Sequence, residues 1–493
     1  MEELIRQINV FAEQAGIIEP DAERRQELLS AVNDYTEGFL EALPDRPAFI
    51  YTDDMGAGLY ASPITEEGMD IGEILRIYKE NVDDQALSPV SGKFFGYIPP
   101  CSMYYSALGD YMAAVMDEYA GEFSSSPGAV RMEYQLLDWM AELVGYAPGA
   151  AKGILASGGS IATLTCIVTA REAHGLKAQD YSRSVVYHTR FTHHCVAKAL
   201  HIAGLGGCVM HAVTTDTDFR MDPDSLAEMI RADRAAGLNP WLVVSSAGTT
   251  DLGNMDDLER IGAVAHEHGL WFHVDAAYGG FFILCDLVRH KFRGIELSDS
   301  VVMNPHKGLH TPFGLGAALI RDGERLYQAH YYTADYLQDR AFHKQELSPA
   351  DVSPELTRHF RALRLWLPLK LIGVAPFRAM LSEKLLLTRY AYQRLQSTPG
   401  FEVGLEPELS IFVFRYTDVE GDVDEFNRRL VEALRRDGTI FLTSTMIDNV
   451  YMLRFAILSY RTHIDTIDLA IDVIRREANK LKMTKACRKA NDG

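Results

Sequence analysis

A lysine set among small and apolar residues is a candidate nucleophile, and Asn304-Pro305-His306-Lys307-Gly308-Leu309, directly after Val301-Val302-Met303, provides such a place. Withdrawing an ammonium group from water lowers its pKa, and the free amine attacks aldehydes. Asp275 stands in the equivalent place after Trp271-Phe272-His273-Val274, followed by Ala276, Ala277, Tyr278, Gly279 and Gly280. The small residues let a flat ring approach, and a carboxylate there keeps a ring nitrogen protonated by charge pairing. Upstream, Gly153-Ile154-Leu155-Ala156-Ser157-Gly158-Gly159-Ser160 leads into a helix expected from Ile161 to about Ala173. Glycines and hydroxyls at a helix start, here Gly159 and Ser160, offer a phosphate backbone N–H groups and the positive end of the helix dipole. His193-His194 follows the run Val185-Val186-Tyr187, and an imidazole in that place stacks on a ring or donates to a carboxylate.

Each of these features alone has an ordinary reading: a turn before a helix, a hydrogen-bonded structural carboxylate, a satisfied histidine, a solvated lysine. Their order is the stronger signal. In an open α/β sheet ligands bind beyond the carboxyl ends of the strands, and phosphate loop, histidine, aspartate and lysine all fall on that one expected edge.

The positioning elements are legible as alternating patterns. Val185-Val186-Tyr187, Cys208-Val209-Met210, Leu242-Val243-Val244, Trp271-Phe272-His273-Val274 and Ser300-Val301-Val302-Met303 read as buried strands,. Helical stretches such as Pro223 to Ala236 and Asp256 to His268 lie between them, the latter ended by Gly269,. This alternation predicts an α/β fold: a mostly parallel central sheet with helices on both faces. Residues 1–90 are expected to form an N-terminal helical arm, with Leu4, Ile5, Ile8, Phe11 and Ala12 at helical spacing and a second helix starting near Pro20-Asp21,. Residues 91–375 form the large domain. Residues 376–493 read as a smaller C-terminal α+β domain, with helices at Phe377 to Gln396 and Val423 to Asp437 and strands at Ser410 to Phe414 and Tyr451 to Phe455. This threefold division agrees with 493 residues at roughly 150 per domain,.

Composition excludes other classes. The net charge of −20 repels nucleic acid and anionic membranes, so neither is expected as a partner,. An anionic cofactor remains allowed where local N–H groups hold its phosphate. Six dispersed cysteines lack zinc-like spacing, so no metal is expected and a reducing compartment is the simpler reading,. The acidic N-terminus and the lack of any 18-residue apolar run lead to the expectation of a cytoplasmic protein,.

Asn304-Pro305-His306-Lys307 and His273-Val274-Asp275-Ala276-Ala277-Tyr278-Gly279-Gly280 resemble the signatures of the group II pyridoxal-phosphate-dependent amino acid decarboxylases, which include aromatic-L-amino-acid, histidine and glutamate decarboxylases. Gly248-Thr249-Thr250 with Asp256, Phe360-Arg361-Ala362-Leu363-Arg364-Leu365-Trp366 and Leu453-Arg454-Phe455-Ala456 support the match, which runs from about Phe94 to the C-terminal helices. The resemblance implies a fold-type I enzyme that binds pyridoxal 5′-phosphate (PLP). Lys307 would carry the cofactor as a Schiff base, Asp275 would pair with the pyridinium nitrogen, His193 would stack on the ring and Thr249 would sit beneath or beside it. Gly159, Ser160 and Asn304 would hold the phosphate, and Ala277 and His306 belong to the same cofactor-binding motifs. A homodimer with a shared active site, wrapped by the N-terminal helices, is implied too.

The implied reaction is decarboxylation of an L-amino acid, with an aromatic one favoured. Tyr97, Ile98, Pro99 and Pro100 make an apolar wall in the stretch that resembles the family's substrate segment, and only Lys93 nearby offers a cation for a distal carboxylate. Aromatic-specific members place a proton-donating tyrosine in a loop before the Phe-Arg motif. Here Gln338 to His359 contains none, offering Phe342, His343, Pro349 and Pro354, with Tyr336 just outside. His343 or His193 could donate the proton instead. Loss of that tyrosine can divert relatives to oxidative decarboxylation and deamination, which makes an aromatic aldehyde synthase the alternative. A decarboxylase of a non-aromatic amino acid, or an aminotransferase clamping a carboxylate through Arg454, stands behind it. A cysteine desulfurase does not fit, because the only cysteine after Lys307 is Cys487.

Overall fold

The computed structural model describes residues 1–99, 101–332 and 346–491, the last eight of these by backbone alone. Pro100, Tyr336, Phe342 and His343 lie outside the described residues. Helices Glu2–Ala15 and Ala22–Ala42 begin the chain, the second capped by Asp21, which accepts the Arg24 N–H at 2.8 Å,. A two-residue ribbon, β1 (Phe49–Ile50) against β2 (Ala86–Leu87), follows. The first helix buries none of its residues and turns Leu4, Ile5, Ile8 and Phe11 to solvent as one stripe,.

Seven strands build the large sheet: β3 (Lys152–Ala156), β4 (Ser184–His188), β5 (Val209–Ala212), β6 (Asn239–Ser246), β7 (Trp271–Asp275), β8 (Ser300–Met303) and β9 (Gly316–Ile320). Their spatial order is β3-β9-β8-β7-β6-β4-β5. β5, β4, β6, β7 and β8 pair in parallel, and β9 is antiparallel to both β8 and β3, so it alone runs against the rest. Successive side chains on these strands enter different cores. Val185, Tyr187, Val243 and Val301 pack into one, and Val186, Leu242, Val244 and Val302 into the other. Burial on both faces explains why the strands read as continuous apolar runs.

Two strands escape the apolar pattern. β3 and β9 are rich in glycine and alanine, poor strand formers alone, and are held by close packing,. A methyl group on Gly153 would stand 3.1 Å from side-chain carbons of both Leu137 and Leu319. The run Cys208-Val209-Met210 was expected to be buried, but β5 is the sheet's edge and exposes alternate residues. Lys307, expected in a loop, sits in the one-turn helix Pro305–Gly308.

The C-terminal sheet comprises β10 (Phe401–Val403), β11 (Ile411–Tyr416), β12 (Thr443–Ile447) and β13 (Val450–Ala456), all antiparallel in the order β10-β11-β13-β12. Helices Ala375–Gln396, Val423–Asp437 and Ile464–Asn491 accompany it, and Phe412, Phe414 and Phe455 fill its core. Among the described residues no single helix is long and apolar enough to cross a membrane; a bent pair, Leu363–Ile372 with Ala375–Gln396, passes on length and composition and contributes Leu365, Phe377 and Leu381 to the core.

A buried ion pair fixes β3. Glu133 Oε1 accepts the Leu155 N–H at 3.0 Å and pairs with Arg358 Nη2 at 2.9 Å, while Arg358 also donates to the Leu155 carbonyl. Removing one partner of a fully buried pair strands the other charge. Arg358→Met should therefore lower unfolding stability by about 3–5 kcal/mol, measured by urea denaturation; a loss below about 1 kcal/mol would show that the pair does not hold the strand.

Candidate active site

β3, β4, β6, β7 and β8 all end at one edge of the sheet, and each releases its chain into a loop there. A cavity of about 190 Å³ lies across these tips. Register places Ser246 beside Asp275 and Asp275 beside Val302, so the ends of three adjacent strands are level.

Beyond β3, Gly158 adopts φ +151°, a conformation that L side chains rarely take, and starts helix Gly159–Ala173 without a side-chain cap,. The first N–H groups of such a helix lack intrahelical partners. Gly159 lies so close to Asn304 that an added Cβ would be 2.7 Å from Nδ2, and Asn304 Oδ1 is buried without a partner. A Cβ on Gly316, at the start of β9, would be 2.6 Å from the Gly158 carbonyl carbon and 2.8 Å from Asn304 Oδ1. The glycine floor and the uncapped helix start, beside the Asn304 Nδ2 donor, leave free N–H groups facing a space that side chains do not fill,.

Beyond β4, His193 faces the cavity. Its Nδ1 accepts the Cys195 N–H at 3.2 Å, which places the proton of the neutral ring on Nε2. Burial lowers its pKa, partly opposed by Asp275. Thr249 follows β6 in a tight hairpin: its N–H donates to Asn254 O at 2.9 Å and its Oγ1 accepts the Asn254 N–H at 3.3 Å. Asp256 closes that hairpin by accepting N–H groups of Ser246 and Met221, each at 2.8 Å, and burial pushes its carboxyl up to about 6.

Asp275, at the tip of β7, is buried and accepts the Ala277 N–H at 3.0 Å. Past β8, His306 Nδ1 bonds to the Leu315 carbonyl, and burial takes its ring down to about 4, so it is neutral. Lys307 lines the cavity. Burial lowers its pKa and outweighs the opposing charge of Asp275. Together these groups present a depressed amine, a carboxylate and an anion cradle to one space, as a phosphorylated pyridine aldehyde such as PLP requires.

Gly159, Ser160, His193, Thr249, Asp275, Ala277, Asn304, His306 and Lys307 all line this cavity. Tyr97, Ile98 and Pro99 do not. Tyr97 is 56% exposed, Ile98 packs on the large core and Pro99 is buried, so the expected apolar wall is not part of this cavity within one chain. Thr163, Phe191, Cys195, Ser246, Thr250 and Tyr278 line it as well without having been singled out for the site. Spacing offered a signal for three of them: Thr163 is one turn beyond Ser160, and Phe191 and Cys195 each lie two residues from His193.

Arg454 of β13 stands behind the site. Its Nε donates to Thr250 O at 2.7 Å and its Nη1 to Tyr97 O at 2.6 Å; Nη2 is buried without a partner, and burial lowers its pKa to about 10. Among the described residues no group of side chains is arranged to hold a metal ion.

A family model described as the pyridoxal-dependent decarboxylase conserved domain matches residues 60–417. The aromatic-L-amino-acid decarboxylase of Bacillus atrophaeus is 28% identical over 429 residues, covering 86% of this chain and 89% of its own. The phenylacetaldehyde synthase of Petunia hybrida is also 28% identical, over 441 residues, covering 85% of this chain and 87% of its own. Among solved structures, Oryza sativa TDC with PLP and tryptamine superposes with a TM-score of 0.89 at 26% identity, covering 94% of this chain and 99% of that one.

The depressed Lys307 amine has a measurable consequence without any ligand. A lysine whose folded-state pKa is lowered bears its full burial cost below that pKa and none above the ordinary 10.5,. In the cofactor-free protein, Lys307→Met should raise Tm at neutral pH, and the gain should shrink as pH climbs toward 10.5. An unchanged or lowered Tm at neutral pH would contradict the desolvated amine.

Proposed function

Because the chain belongs to the pyridoxal-dependent decarboxylase family and is thereby a PLP-dependent carboxy-lyase, we propose that it decarboxylates an aromatic L-amino acid to the amine and CO₂, with Lys307 holding the cofactor covalently. The convergence of Lys307, Asp275 and the uncapped helix start on one cavity carries this reading. Bound there, PLP supplies an electron sink for the pair left when the Cα–carboxylate bond breaks.

The chain's own residues do the rest. Lys307, kept dry, is available as a neutral amine at lower pH than a surface lysine,. Asp275, lining the cavity, would pair with the ring nitrogen and keep it protonated,. Backbone N–H groups at Gly159 and Ser160, with the Asn304 Nδ2, would hold the phosphate,. His193 would stack on the ring, and its neutral imidazole, protonated on Nε2, would be a hydrogen-bond donor there; as a general acid it would first have to take up a second proton, which its burial disfavours,. Arg454 ties the Thr250 and Tyr97 carbonyls together behind the cavity and so holds the loop of Thr249 in place.

An aromatic substrate is favoured because, among the described residues, Lys307 is the only lysine or arginine lining the cavity, so no second cation there would pair with a distal carboxylate. The named relatives, an aromatic-L-amino-acid decarboxylase and a structure containing tryptamine, support this. The missing tyrosine between Gln338 and His359 favours a second reading, oxidative decarboxylation and deamination to an aromatic aldehyde, as the Petunia relative's name suggests. In that reaction dissolved dioxygen takes two electrons to become hydrogen peroxide, and water supplies the aldehyde oxygen as ammonia leaves.

The purified protein should be yellow, and Lys307→Ala should lose the visible absorbance of the covalent cofactor. Incubation with a panel of L-amino acids separates the outcomes. Amine and CO₂ without peroxide from tryptophan, tyrosine or phenylalanine supports decarboxylation; aldehyde, ammonia and peroxide support the synthase; transfer to a keto acid overturns both.

We also propose that two copies pair. The first helix has an unburied apolar stripe, and helix Tyr104–Met116 exposes Tyr104, Leu108, Tyr111, Val115 and Met116 on one face. Pairing would cover both faces. Light scattering should give twice the 55.1 kDa chain mass, and Phe11→Asp with Val115→Asp should release monomers; a monomeric wild type would refute the pairing.

A further inference from the structure

The small domain contributes none of the described residues to the cavity wall, yet its β12–β13 hairpin grips the loop that carries His193. At the hairpin tip Asp448 and Asn449 take φ of 48° and 65°, the left-handed pair that a tight two-residue turn requires,. This turn carries Asp448 into an ion pair with Arg190. The Arg190 guanidinium lies 4.7 Å from the centre of the Phe191 ring and 5.5 Å from that of Phe219. Ile447 and Met452 of the hairpin share a buried cluster with Phe191 and Leu252, with Phe219 and Val450 packed against it. A separate tie runs from Thr445 Oγ1 to Asp251 Oδ1 at 2.7 Å, reaching the loop of Thr249.

The gripped loop is internally stiff. Thr189 N–H donates to Thr192 Oγ1 at 3.0 Å, Phe191 N–H to Thr189 Oγ1 at 3.3 Å and Thr192 N–H to Thr189 O at 3.1 Å, so residues 189–192 move as one piece. Phe191 reaches the cavity, and His193 is the next cavity residue along the chain. A constraint on Arg190 therefore reaches the imidazole through Phe191 and a single intervening residue.

We propose that Asp448 is a positioning residue which, through Arg190, sets the Phe191 ring and the His193 imidazole against the cofactor; this rests on the place of His193 beside the ring in the function proposed above. Asp448 touches neither substrate nor cofactor. Its carboxylate holds the guanidinium over two aromatic faces, and the cation in turn holds Phe191 at the cavity wall.

The test compares wild type with Asp448→Asn, Asp448→Glu and His193→Gln. The readouts are PLP affinity of the apoprotein, visible circular dichroism of the reconstituted holoenzyme, and apoprotein Tm. Asp448→Asn should weaken PLP binding by about two- to fivefold and alter the visible dichroism, with Asp448→Glu restoring both. A Tm change with unaltered affinity and dichroism would overturn the positioning role, as would failure of Asp448→Glu to restore them. His193→Gln separates the two readings. If it changes the dichroism and Asp448→Asn does not, the hairpin proposal fails alone; if His193→Gln leaves the dichroism unchanged, the ring contact fails and the hairpin proposal falls with it.

Discussion

Parallel strands can be neighbours only if each connection returns outside the sheet, and that constraint brings every carboxyl end to one edge. The rest of this molecule follows from it. β4, β6, β7 and β8 pair in parallel, and β3, reached through the lone reversed strand β9, points the same way. The residues that follow these five strands therefore meet, although Gly159 and Lys307 are far apart in sequence. Reversing β9 also brings Gly316 back beside Gly158, and only glycine leaves room for the Asn304 amide there.

Water exclusion at that edge sets the chemistry. Lys307, His193 and His306 are all shifted toward their neutral forms, with burial the largest cause in each case. Asp275 is the opposing charge for Lys307 and His193, so this one carboxylate limits how far those two are depressed. The protein's net charge of −20 would not help to hold an anion here. Local N–H groups at the uncapped helix would have to do so, because their dipoles act at contact distance while the global field is screened within about 8–10 Å,.

The small domain acts from behind the cavity. Arg454 ties the carbonyls of Thr250 and Tyr97, and Tyr278, a cavity residue, shares its hydroxyl with Ser410 at 2.5 Å. Glu408 adds a third tie by accepting the Met255 N–H at 2.7 Å while paired with Arg220 and Lys291. The two sheets thus share the loops at the site, and the geometry of the cavity depends on both.

Much of this was legible in the residues. Continuous apolar runs marked β4, β6, β7 and β8 because strands buried on both faces carry no polar alternation, and the residue types after each run marked Asp275, Lys307 and His193. β3 and β9 were illegible because glycine and alanine are selected there for close packing, which carries no strand signal. Phe191, Thr163 and Tyr278 gave no chemical cue, since an aromatic or a threonine lines a cavity only by where its backbone is placed. Tyr97 and Ile98 were expected in a substrate wall for their apolar chemistry, and within one chain they do not line this cavity. The sequence by itself determined which groups are present and the sheet edge to which they belong, through residue type and the period of hydrophobicity. The tertiary structure alone decided their distances, the tautomer of His193, the burial that depresses Lys307 and the hairpin's grip on Arg190. Apart from the tautomer, which a hydrogen bond two residues along the chain sets, these depend on contacts between residues distant in sequence, which no local pattern encodes.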